Sequence, residues 1–228
     1  MLTISLGNAI SLEVNKKVFQ VYRHLVKDKH PSWLDIIPAY TTVSIVYNVP
    51  TIRKQHTSAF QWMKCEVEKV IATISGQEEL QTRQLNIPVC YDPEFALDAD
   101  RICKEKSVSL NELITIHSSK SYHVFMIGFL PGFAYMGVVD STIATPRLAS
   151  PRKNVPAGSV GIAGEQTGIY PLDSPGGWNI IGRTPVKLFD PTKEDPVLLQ
   201  PGDQVKFEPI SKKEFDAFDQ SAYKLIVG

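Results

Sequence analysis

The sequence has little with which to hold a polyanion or cross a membrane. Lys plus Arg and Asp plus Glu both total 24 in 228 residues, so the formal charge is zero. No net field draws the chain to nucleic acid or anionic lipid, and both are disfavoured as partners. No apolar run approaches the roughly 18 residues of a membrane span, and Met1 to Gly7 lacks the basic stretch of a secretory signal. A cytoplasmic location is expected. Cysteine is scarce: Cys65, Cys90 and Cys103 form an odd set without C-x-x-C spacing, which argues against a disulfide framework or a zinc knuckle. His24, His30 and His56 match no metal-ligand pattern, so no metal is expected. A G-x-x-x-x-G-K-[ST] loop and a G-x-S-x-G elbow are also missing. The chain therefore lacks both a P-loop nucleotide site and the mark of a self-contained serine hydrolase.

What is present is the mixture of a globular protein, 43% hydrophobic and 21% charged, at a length that suits one to two domains. The punctuation is uneven, because 12 of 14 Gly and 11 of 16 Pro follow residue 120. Before that point, Leu2 to Val14 reads as a strand interrupted at Gly7-Asn8, and Val18, Val21, Tyr22, Leu25 and Val26 then recur at helical spacing. Trp33–Pro38 and Thr41–Asn48 read as strands, Phe60 to Ile74 as a second helix, and Ile87–Tyr91 as a short strand whose Pro88 suits an edge or a strand start. This β-α-β-β-α-β order predicts a ferredoxin-like α/β domain over residues 1–92. Two helices follow, the second opened by Ser109 with Glu112 in capping-box spacing. From Tyr122 onward short apolar runs alternate with Pro-Gly and Gly-Gly turns, the texture of a β-barrel or sandwich. The expected class is α+β, with residues 93–228 as the second domain.

Three segments carry side chains suited to chemistry. In Gly128-Phe129-Leu130-Pro131-Gly132-Phe133-Ala134-Tyr135 the Pro-Gly pair suits a type II turn. Its rings either line a pocket or cap the core. Arg147 and Arg152 lie among prolines that stiffen their loop; a fixed guanidinium can clamp a carboxylate or phosphate, whereas solvated loop charge is the plainer reading. Beyond Ser159, Gly161 and Gly164 offer backbone amides to an anion. The third segment holds Gln166, Tyr170 and Trp178, whose neutral hydrogen-bonding groups suit an amide substrate. His117, closing the capped helix, is placed either as an acid or base or as a satisfied helix-end histidine.

Taken together, His117-Ser118-Ser119, GFLPGFAYMG, TPRLASPRKNVPAGSVGIAG, QTGIYP and SPGGWNIIGRTP resemble the allophanate hydrolase subunit 1 family. The likeness is dense over about residues 117–208 and weaker over Gly7-Asn8-Ala9-Ile10 and Ile87 to Asp92. Asn8, where an acidic residue is more usual, and Met136, where Leu is usual, depart from the pattern. The resemblance implies a cyclophilin-like C-terminal barrel. It also implies one component of a 5-oxoprolinase that hydrolyses 5-oxoproline to glutamate with ATP. The chain would contact the C component of that enzyme directly and work with its A component, with ATP not bound by this chain alone. On that reading His117 and Arg152 are catalytic, while Phe129, Phe133, Tyr135, Arg147, Ser159, Gln166, Tyr170 and Trp178 bind substrate. Two alternatives come with the family: an inhibitor that binds a sporulation histidine kinase, and a carboxyltransferase component of urea-carboxylase type.

Overall fold

The computed structural model describes residues 1–74, 82–221 and 223. The chain divides into two compact units, Met1–Gln81 and Thr82–Gly228.

The first unit runs β1 (Leu2–Ser5), α1 (Leu12–Lys27), β2 (Trp33–Pro38), β3 (Thr42–Tyr47), α2 (Val49–Arg53) and α3 (Ala59–Ala72). Its three strands form one antiparallel sheet ordered β1-β3-β2. The expected strand to Val14 stops at Ser5, because the Ser11 side chain accepts the Val14 amide and starts α1 there. The apolar stripe places Val18, Val21 and Leu25 against Trp33, Ile36, Val43 and Ile45, with Met63 and Val67 of α3 completing the core.

The second unit continues β4 (Gln84–Cys90), α4 (Ala99–Lys106), α5 (Leu110–Ser118), β5 (Ser121–Ile127), β6 (Ala134–Gly137), β7 (Arg152–Val155), β8 (Ser159–Ala163), β9 (Gln166–Ile169), β10 (Ser174–Gly176), β11 (Asn179–Arg183), β12 (Gln204–Ile210) and α6 (Lys212–Asp216). Seven strands close a barrel in the order β11-β4-β12-β5-β6-β9-β8, and β7 and β10 form a separate two-stranded ribbon. The capping box expected at Ser109 and Glu112 is formed at the start of α5. The α+β class is borne out, with the barrel as its second part.

The ferredoxin-like reading needs correction, and with it the boundary at residue 92. The strand expected to close the first domain, now β4, lies inside the barrel, parallel to β12 from Gln84↔Gln204 to Cys90↔Ile210. Its buried Leu85, Ile87 and Val89 join the barrel core with Val124, Val160 and Phe207. Apolar alternation marks a strand but not the sheet that receives it. Pro88 is tolerated because β4 meets β11 in register only at Cys90, so its missing N–H interrupts no second ladder.

Candidate functional site

Five of the predicted rings and both arginines gather outside the barrel core. Leu130-Pro131-Gly132-Phe133 makes the expected turn, with Gly132 at φ 83° and the Phe133 amide donating to the Leu130 carbonyl at 3.0 Å. This bend drives Phe133 inward, where its ring meets Tyr135 at 4.9 Å, Tyr170 at 5.2 Å, Trp178 at 5.3 Å and Phe129 at 5.6 Å, all edge to face. Phe133, Tyr170 and Trp178 are buried, Tyr135 is half-buried and Phe129 is 62% exposed. Both readings of the rings thus apply: three build a core and two face outward. Gly168 makes room for them, since a Cβ there would lie 3.0 Å from the Trp178 ring and 3.1 Å from that of Phe133.

The arginines differ in state. Arg147 is exposed, with its guanidinium 5.9 Å from the Trp178 ring centre. Arg152, at the start of β7, donates from Nη2 to Asp98 Oδ1 at 2.7 Å, and Asp98 Oδ2 accepts the Ile180 amide at 2.6 Å. Burial raises the Tyr170 phenol pKa, opposed by the Trp178 backbone N–H and by the charges of Arg147 and Arg152. Burial likewise raises that of Tyr135, against the pull of Arg147. Both phenols are neutral donors at physiological pH.

The remaining predicted residues lie apart from this cluster or serve it indirectly. His117 is fully buried in the barrel, stacked on Phe207 at 4.5 Å. The Thr167 hydroxyl donates to the Gly161 carbonyl at 3.1 Å, so it accepts from His117 Nε2 at 3.0 Å, and His117 Nδ1 accepts from the Tyr91 hydroxyl at 2.8 Å. Both ring nitrogens are satisfied in the neutral state, and burial pushes the pKa down to about 3. The acid–base role expected of His117 is therefore corrected to a structural one. Ser159 is buried and joins Tyr170 through its carbonyl, which accepts the Tyr170 amide at 2.9 Å. Gln166 is half-buried at the opposite end of β9 from Tyr170, about 13 Å along the strand, so the two do not orient one ligand together. The glycine-rich anion nest is absent as well, because residues 159–163 form β8 and engage β9 and β11.

Sequence reasoning missed Asp98 and Ser174. Asp98 precedes α4 yet makes no side-chain cap bond, its carboxylate being taken by Arg152 and Ile180; no local pattern announces a partner 54 residues away. Ser174 belongs to the quoted SPGGWN segment but lacked any signal until β7 and β10 were paired. Among the described residues no three His, Cys, Asp or Glu side chains are grouped to hold a metal. No helix among them is long and apolar enough to cross a membrane. A cavity of about 390 Å³ in the first unit, lined by Met1 to Ile4, Phe60, Lys64, Val67, Glu68 and Ile71, includes none of the predicted residues.

A family model for the carboxyltransferase domain, subdomain C and D, matches residues 1–199. The chain belongs to this family. Within the carboxyltransferase C and D family it is 40% identical over 223 residues to the B component of 5-oxoprolinase from Bacillus subtilis (strain 168), covering 96% of this chain and 93% of that one. It is 35% identical to the 5-oxoprolinase B component of Escherichia coli O157:H7 over 90% of each chain. Among solved structures, TTHA0988 superposes with a TM-score of 0.79 at 33% identity over 92% of this chain, which spans 40% of that longer protein. The urea amidolyase of K. lactis gives a TM-score of 0.79 over 99% of this chain and 15% of its own, at 18% identity, a likeness of fold. The family resemblance seen in the motifs is thereby borne out.

Proposed function

We propose that this chain is the B component of a heteromeric, ATP-dependent 5-oxoprolinase, cytoplasmic and inactive alone, which opens 5-oxoproline to glutamate together with the A and C components. The end-to-end likeness to bacterial proteins of that name carries the reading. A complete catalytic set is not needed in one chain if the site is shared, and the neutral, enclosed His117 fits that division of labour. The barrel is read as cyclophilin-like.

The ring-and-arginine cluster is the ligand-binding part of this chain. Lactam hydrolysis needs the ring held and negative charge stabilised as the amide carbonyl is attacked. The rings of Phe129 and Tyr135 supply an apolar wall, the Tyr170 phenol a neutral donor, and Arg147 a cation at the rim. Arg152, anchored by Asp98, acts as a fixed hydrogen-bond donor rather than as a mobile charge. ATP supplies activation of the amide oxygen by phosphoryl transfer. The lack of a P-loop, and the use of the β8 amides within the barrel, support its being held outside this chain.

The kinase-binding alternative is less well served. Of the clustered rings only Phe129 is broadly exposed, whereas an apolar docking surface needs a contiguous patch. Co-expression with the A and C components, followed by assay of glutamate from 5-oxoproline and ATP, is expected to show turnover that disappears when this chain is omitted. No turnover with every component present rejects the reading.

A further inference from the structure

The β7–β10 ribbon carries two buried polar atoms without a hydrogen-bond partner among the described residues, Arg152 Nη1 and Ser174 Oγ. Such atoms are rare in folded proteins because burying an unpaired donor is costly. Their placement is specific. Arg152 is paired directly with Gly176 across the ribbon, so the two residues share a face. The extra residue of the ladder's bulge lies on β7, because three steps from Arg152 to Val155 oppose two from Gly176 to Ser174. Alternation along β10 is therefore kept, and Ser174 points to the same face as Gly176. A Cβ at Gly176 would collide with the Tyr170 phenol oxygen, which sets that oxygen on this face too. Three hydrogen-bonding groups thus lie on one face of the ribbon, and Ser174 is only 7% exposed.

We propose that Ser174 Oγ, Arg152 Nη1 and the Tyr170 phenol form a subsite for the carboxylate of the substrate, with Ser174 as a substrate-orienting residue. This rests on the oxoprolinase reading for the identity of the ligand. The charge balance selects an anion: Asp98 already offsets Arg152, and Arg147 adds positive charge to the same cluster. Two donors without partners match the two oxygens of a carboxylate, and hydrogen bonds to an ionised acceptor are the strong ones. The carbonyl of the lactam has lone pairs for both donors but is neutral, so it forms the weaker bonds and leaves the positive charge unmatched.

Titration calorimetry on the full chain, and kcat and KM on the assembled enzyme, test the subsite with Ser174→Ala. The substitution is expected to weaken 5-oxoproline about tenfold or more, with the loss in KM rather than kcat, and to leave the affinity of the uncharged carboxamide of 5-oxoproline unchanged. The thermal midpoint is expected not to fall, since an unpartnered hydroxyl is removed. Unchanged affinity and KM, an equal loss for acid and carboxamide, or no binding of 5-oxoproline to chain or complex overturns the proposal. If no glutamate forms with all components present while the chain binds 5-oxoproline in a Ser174-dependent way, the enzymatic reading fails and the subsite stands.

Discussion

His117 and the two arginines show how much a residue's meaning depends on what surrounds it. An unfolded histidine titrates near 6.5, whereas the folded His117 is held down to about 3 by burial. Between these values the unfolded chain takes up a proton that the folded chain refuses. Stability from this group is therefore complete above pH 6.5 and declines as pH falls toward 3. His117→Phe is expected to cost about 1–3 kcal/mol at pH 7.5, since it strands the buried Tyr91 hydroxyl while Thr167 keeps its bond to the Gly161 carbonyl, and to flatten the decline between pH 7.5 and 5.5. Urea unfolding at both pH values measures this, and an undiminished decline refutes the buried neutral state. Arg152→Ala is expected to lose about 3–5 kcal/mol by leaving the Asp98 carboxylate buried without its cation. Arg147→Ala, at an exposed position, is expected to change stability by less than about 0.5 kcal/mol while raising KM for 5-oxoproline. Equal effects of the two on stability would contradict their assigned states.

Among the elements, the β7–β10 ribbon and the Pro131-Gly132 turn organise the cluster. The turn was legible because Pro and Gly specify backbone angles locally. The ribbon was not, because neither three-residue β10 nor four-residue β7 carries an apolar alternation to read. Its glycine is demanding: Gly176→Ala pushes against the Tyr170 phenol and is expected to cost about 1–3 kcal/mol by overpacking. A stability equal to that of the parent in thermal unfolding would mean the phenol lies elsewhere. The motifs thus named the rings and arginines that cluster in the candidate site, while Asp98, Ser174 and the enclosure of His117 emerged only from pairings between distant segments.

On the scale of the whole molecule, β4 decides where the second unit begins. A fragment beginning at Thr82 retains the strand that lies between β11 and β12 and is expected to unfold cooperatively as a compact domain. One beginning at Pro93 opens the barrel and exposes the β12 edge, so it is expected to aggregate or lose fixed packing. Near-UV circular dichroism and sedimentation compare them, and equal behaviour would deny β4 its place. The sequence by itself determined the neutral charge, helices α1, α3, α4 and α5, the capping box of α5, the Pro131-Gly132 turn and the family, because these depend on residue type and short spacing. The tertiary structure decided which sheet received β4, which arginine was anchored, and whether a histidine met solvent. Those outcomes depend on long-range pairing and burial, which local periodicity does not encode.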